Sequence, residues 1–298
     1  MPTTGFFKLR LRAMVLFVMF FSSLSAFSAG VKVVYPANQT ASDTRFNDLI
    51  EILDTALKAT VAEFGPYELA PSKDGMNEAR YLVELQKGEE SVNVVWSSTS
   101  VDKEKDFLPL RIPLRKGILG YRIALIAKDK QALIDQVKTL DDLKKLKIGQ
   151  GLGWGDVKLY ESNGLTVVTS QYDNLFKMTD GGRFDLFPRG ISEAFNEYDT
   201  YSKSNPNLSI EKNLLIYYPW PYYFFFNKND AKLKDRIEAG IRKMMKDGSF
   251  DAIFKKYNGA AIEKADLKHR RIIKIDNKLL PKETPLNDAS LWFDPKKY

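Results

Sequence analysis

Four glycines at alternate positions, Gly149, Gly151, Gly153 and Gly155, are the first residues here whose type and spacing suit chemistry. Placed between a strand and a helix starting at Asp156, such a run leaves backbone N–H groups and a helix dipole facing an anion. The spacing is neither a Walker loop nor a dinucleotide fingerprint, and a tight turn that needs positive φ accounts for the same glycines. Arg189 is the second candidate, stiffened by Pro188 and expected just past a strand end, where open α/β sheets bind ligands. An ion pair with Glu193, one helical turn later, is the alternative reading. Trp96, Trp154, Trp220 and Tyr222 would supply aromatic walls, and Ser98 and Thr99 hydroxyl donors, although Ser and Thr after a strand also form turns.

Other chemistry is excluded by composition. The 298 residues contain no Cys, so there is no disulfide, thiolate metal site, cysteine nucleophile or lipid-bearing cysteine. His269 is the only histidine, which leaves a histidine-ligated metal or a Ser-His-Asp triad resting on one imidazole. No catalytic residue, metal or cofactor is implied.

These candidates need a scaffold of alternating strands and helices, and the hydrophobic pattern supplies one. Val31 to Tyr35 reads as a strand ending at Pro36. Phe46, Leu49, Ile50, Leu53, Leu57 and Val61 mark a helix, capped by Ser42 or Asp43 and stopped at Gly65 and Pro66. A helix over Asn77 to Lys87 and a strand over Val92 to Trp96 complete a first unit. Ile118 to Ala127 is strand-like, and alternation resumes with Lys147 to Gly149, Thr166 to Thr169, a helix from Tyr172 to Met178, a strand at Phe184 to Phe187 and a helix from Ile191 to Tyr201. After the Tyr- and Phe-rich stretch Leu214 to Asn227 come helices Ala231 to Lys246 and Ser249 to Lys256. From Gly259 the chain reads as an extended basic tail, pinned by Leu291, Trp292 and Phe293.

The amino terminus has the order of an export signal: Lys8, Arg10 and Arg12, nine apolar residues from Ala13 to Phe21, then small residues with a cut after Ala26, Ser28 or Ala29. Nine residues fall well short of the ~20 that span a bilayer. Removing three basic and no acidic residues lowers the net charge from +7 to +4, a surplus too modest to imply nucleic acid.

Three strings resemble marks of the family 3 periplasmic solute-binding proteins and fall in that family's order: Thr139-Leu140-Asp141-Asp142-Leu143-Lys144, Gly182-Arg183-Phe184-Asp185, and Asp247-Gly248-Ser249-Phe250 onward to Tyr257. The resemblance implies an α/β, two-lobe type II periplasmic binding protein fold with two crossover strands, set at Ile118 to Ala127 and Tyr217 to Asn227. The expected organisation is a signal peptide over 1–28, lobe one over 29–119, lobe two over 120–218, a return to lobe one over 219–258, and a tail over 259–298 packed on a lobe. Amino-acid-binding members carry a Thr-x-x-Arg whose arginine holds a carboxylate; counting from Ser100, Lys103 stands there instead, without the planar fork. Those members also place an acid soon after the Gly-x-x-Asp strand, where Leu186, Phe187, Pro188 and Arg189 stand here. The function these readings favour is a monomeric periplasmic protein that captures a small organic, anionic solute for an inner-membrane transporter or a sensor. A lyase- or dehydratase-like enzyme on the same scaffold, using Asp156 and Glu193, is the alternative.

Overall fold

The computed structural model describes residues 1–2, 30–38, 45–88 and 91–297, so the apolar core and cleavage region of the export signal and the expected caps Ser42 and Asp43 lie outside the described residues. β1 (Val31–Ala37) runs through Pro36 rather than stopping there. Its register against the neighbouring strand shifts between Tyr35 and Ala37, and at such an irregularity a missing N–H donor is tolerated. α1 (Asn47–Ala59) buries Leu49, Ile52, Leu53, Ala56 and Leu57 along one stripe. After α2 (Val61–Phe64), β2 (Tyr67–Gly75) pairs in parallel with β1. α3 (Glu78–Lys87) begins where Asn77 Oδ1 accepts the Arg80 N–H and stops at Gly88 in the left-handed region. β3 (Val95–Ser98), α4 (Val101–Asp106), capped by Ser100, and β4 (Leu108–Leu110) follow. The third strand thus lies three residues later than the apolar run suggests.

Residues 111–120 leave this first lobe, ending in one 3-10 turn at Ile118–Gly120. β5 (Tyr121–Ala127) is wholly buried inside a second sheet, so the outward crossover precedes it. After α5 (Gln131–Ile134), Thr139 and Asp142 cap α6 (Leu140–Leu143) reciprocally, which gives the Thr-Leu-Asp-Asp string its physical reason. Then come β6 (Lys147–Gly151), α7 (Gly155–Ser162), β7 (Thr166–Ser170), α8 (Tyr172–Asp180), β8 (Phe187–Gly190), α9 (Ile191–Tyr201), β9 (Leu208–Ile210) and β10 (Leu214–Tyr217). β8 starts where the expected strand ends, and Arg189 therefore lies within it, opposite Ile123 of β5.

Residues 218–221 return to lobe one. The Tyr218 N–H donates to the Gly120 carbonyl at 3.2 Å, and a Cβ on Gly120 would stand 1.9 Å from the Tyr218 carbonyl oxygen. The two crossovers touch where only glycine fits. β11 (Tyr222–Phe226) then pairs antiparallel with both β3 and β4. α10 (Ala231–Asp247) lies on α1 so closely that a Cβ on Gly240 would meet the Ala56 carbonyl at 2.2 Å. Gly248, at φ 86°, turns the chain into α11 (Ser249–Ala265), which continues nine residues past Lys256.

Lobe one is filled by Leu53, Leu57, Trp96, Phe224, Phe226, Ile237 and Ile241, and lobe two by Ile126, Ile148, Leu159, Leu186 and Ile216. The tail joins both lobes instead of resting on one. β12 (Arg271–Lys274) adds a parallel strand to β10, anchored by Arg270 on the fully buried Glu211. Farther on, Leu291 enters the lobe-one core, the Phe293 N–H donates to the Lys116 carbonyl at 2.7 Å, and the Trp292 ring covers Gly117 on the outward crossover.

Candidate functional site

Lobe two presents a layer of buried charge at the ends of β5, β6 and β8. β5 is apolar except for Arg122, and a guanidinium only 5% exposed in such a strand requires partners. It finds Asp156 at 3.0 Å, in the first turn of α7, and Glu193 at 3.5 Å, in the first turn of α9. Both carboxylates sit where the helix dipoles favour negative charge. Arg189 makes a two-pronged bond to Glu197 at 2.6 and 2.7 Å, lies 3.4 Å from Glu193, and rests 4.5 Å from the centre of the Trp154 ring. Burial pushes the Glu197 carboxyl up even against Arg189. Burial also acts on Glu193, but Arg189 and Arg122 outweigh it and hold that carboxyl below the ordinary glutamate value.

The sequence-based expectation of an anion pocket changes accordingly. Arg189 is 6% exposed and committed to Glu197, a residue eight positions away, rather than open to a ligand. The anion at the start of α7 is the chain's own Asp156. The glycines have separate packing reasons: a Cβ would meet the Phe184 ring at Gly149, the Trp154 ring at Gly151 and the Trp220 ring at Gly155, and Gly153 has φ 79°. Arg189 stands where amino-acid-binding members are expected to place an acid, but it is neutralised, and the carboxylate that retains exposure, 36% of its side chain, is Glu193. Gly190 makes this possible: its N–H donates to Glu193 at 2.8 Å, and a side chain there would crowd that oxygen.

Lobe one supplies a different face. Ser98 stands opposite Tyr222 in the β3–β11 ladder. The Lys103 ammonium donates to Ser97, to the Ser98 carbonyl at 2.9 Å and to Glu78 at 2.8 Å, so it is already neutralised. Thr99 is buried and donates to Glu104. Trp96 is 1% exposed, packed on Tyr35 and Phe46 in the core. On the outward crossover Arg115 grips Asp48 with both prongs and lies 5.7 Å from the centre of the Tyr222 ring. From the return crossover Trp220 packs on the start of α7.

The structure therefore gathers Trp154, Asp156, Arg189, Gly151 and Gly155 on lobe two, with Trp220 beside them, and Ser98 with Tyr222 on lobe one. Sequence reasoning missed Arg122, Glu197, Asp48 and Arg115. Arg122 was detectable as one charge in an apolar strand; the others pair over distances that local spacing does not reveal. Among the described residues no group of acidic or histidine side chains is placed to hold a metal, and no helix is long and apolar enough to cross a membrane.

Residues 156–260 match the family model of bacterial extracellular solute-binding proteins, family 3. Among curated proteins nothing matches the chain. Among solved structures, an ancestral arginine-binding protein bound to arginine is similar with a TM-score of 0.51 and 20% identity, over 78% of this chain and 99% of its own. The Bacillus subtilis protein YckB gives 0.54 and 18%, over 83% and 97%. An amino acid ABC transporter substrate-binding protein from Streptococcus pneumoniae, bound to L-arginine, gives 0.52 and 16%, over 76% and 94%. These likenesses show the two-lobe α/β fold of type II periplasmic binding proteins. Residues 156–260 thus resemble the family 3 solute-binding proteins, and the chain shares the two-lobe fold of the type II periplasmic binding proteins.

Proposed function

We propose that the chain is an exported solute-binding protein that captures a small organic solute between its lobes and holds it by closing them, for an inner-membrane transporter or a sensor. The charge of the cleft carries this reading. On lobe two Arg122 and Arg189 stand among Asp156, Glu193 and Glu197, which leaves one negative charge in excess there, and Glu193 is the carboxylate that keeps an exposed side. The solute group that meets lobe two is accordingly cationic, an ammonium for instance, in place of the anion that Arg189 suggested. Trp154, Trp220 and Tyr222 would wall the solute, Ser98, Gly151 and Gly153 would offer polar contacts, and Trp96, Thr99, Asp156 and Arg189 would position these groups from behind. Such a small set of polar groups in an aromatic cleft suits recognition of an organic molecule. Arginine and glutamine, found bound in structurally similar proteins, both carry an ammonium.

Mass analysis of small molecules released from the native protein, followed by calorimetry with the compound found, tests the reading. A cationic or zwitterionic compound bound at one equivalent and recovered unchanged is expected. A purely anionic compound would overturn the charge assignment, and chemical conversion of the compound would favour the enzyme alternative.

A further inference from the structure

Beyond its outward and return crossovers, the chain passes between the lobes twice more. α11 leaves lobe one, where Phe250 and Ile253 join the core, and reaches lobe two, where Ile262 and Ala265 pack with Ile123 of β5 and Leu215 of β10. β12 then lies on lobe two, and the Asn163 side chain holds its end by bonding the Asp276 carbonyl at 2.7 Å and N–H at 3.3 Å. Residues 277–291 bring the chain back. On the way the Asn277 side chain donates to the Pro219 carbonyl of the return crossover at 2.9 Å, and Leu291 then enters the lobe-one core.

The end of this tail closes on a strained point of the outward crossover. Lys116 and Gly117 are consecutive residues in the left-handed region, at φ 50° and 69°. A lysine rarely takes that conformation and keeps it only where its surroundings over-determine it. Here the surroundings are the tail and α11. The Phe293 N–H donates to the Lys116 carbonyl, the Trp292 ring covers Gly117, and the Lys116 ammonium pairs with Asp251 of α11. Phe293 is 4% exposed; its carbonyl accepts from the Tyr121 hydroxyl of β5 at 3.2 Å, and its ring lies edge-on to Tyr121 and against Phe254 of α11. One dipeptide thus touches the crossover, lobe two and α11 together.

We infer that Trp292 and Phe293 form a hinge lock, by which the tail holds the lobes of the solute-free protein at one angle. A hinge turns when a few residues absorb changes in φ and ψ. Lys116 and Gly117 are placed to do so, but they are not free to turn until the tail that grips one and covers the other shifts with them. A solute must then supply the differential affinity that moves the lobes against the lock, so closing reports a bound solute rather than thermal swing. The lock itself rests on the two-lobe fold; only its use in capture rests on the solute-binding reading.

The test is the distance between nitroxide labels, read by pulsed electron double resonance on the full chain after dialysis to remove small molecules. The chain has no cysteine, so Lys105→Cys on α4 and Lys158→Cys on α7, both exposed, label one site on each lobe without background. Lys105→Cys with Lys232→Cys on α10 gives a control pair within lobe one. Otherwise unaltered protein should show one narrow interlobe distance. Trp292→Ala and Phe293→Ala should each widen that distribution about two-fold and leave the control pair unchanged. Phe293→Ala also opens a core, so melting is followed in parallel, and Trp292→Ala, at a partly exposed ring, carries the test should the other variant fail to fold. An interlobe distribution as narrow in Trp292→Ala as without it, one already as broad without the substitution, or equal broadening of both pairs would overturn the lock. None of these results would touch the solute-binding reading, which is tested by the bound compound.

Discussion

Glu193→Gln is the substitution that separates recognition from folding. It preserves side-chain volume and leaves an amide oxygen to accept the Gly190 N–H, now at 2.8 Å, so the start of α9 keeps its cap. The guanidinium groups lose contacts at 3.4 and 3.5 Å but keep their nearer partners, Asp156 at 3.0 Å and Glu197 at 2.6 Å. Neither is left buried alone, and folding stability should change by less than ~1 kcal/mol. A cationic solute, by contrast, loses a charge-assisted hydrogen bond of about 1.5–3 kcal/mol. That is roughly 10- to 150-fold in affinity. The pH dependence follows from the depressed Glu193 carboxyl. Its charged form is favoured in the folded chain, so its contribution is full above the ordinary value of 4.5 and is lost as pH falls through the lower folded value. Wild-type affinity should stay level down to pH ~5 and fall in more acid solution, a loss that the Gln variant should not share. Gly190→Ala, whose Cβ would stand 3.0 Å from the Glu193 carboxylate, should weaken binding in the same direction. Calorimetry with the copurified solute, beside thermal melting, measures both quantities. Undiminished affinity in Glu193→Gln would refute the assignment.

Gly120→Ala should destabilise the fold by ~1–3 kcal/mol in urea titration, because the new Cβ meets a backbone carbonyl of the other crossover rather than a movable side chain. A neutral result would mean that the crossovers separate easily. Leu291→Ala, at a side chain 6% exposed in the lobe-one core, should cost about 2–5 kcal/mol, whereas a loosely attached tail would give almost no change. Mass spectrometry of the exported chain should find a new amino terminus between Phe27 and Gly30; recovery of Met1 in a membrane fraction would contradict export.

Where local pattern and tertiary demand agree, the fold is legible in the residues themselves. The α1 stripe, the turn at Gly248 and the capping box at Thr139 are of that kind, since each needs only neighbours within about one helical turn. β2 was invisible because Pro71, Lys73 and Asp74 are poor strand formers, and they are tolerated there only because the strand has a single neighbour. Gly259 looked like a stop, yet Ile262 and Ala265 hold α11 on lobe two and carry the helix past it. At the site, residue types singled out Arg189 but not the full set of carboxylates that pair with it. Arg189 and its neighbour Glu193, one helical turn on, are conspicuous in sequence, while Glu197, the nearer partner, looks like an ordinary surface acid until α9 folds back on β8.

Small-angle scattering of the intact protein, titrated with its copurified solute, tests the central claim most directly. Solute that bridges the lobes must favour the closed form by its greater affinity for it. The radius of gyration should fall on saturation, reverse on dialysis, and leave the solute chemically unchanged. Superimposable profiles with and without bound solute would contradict capture by lobe closure.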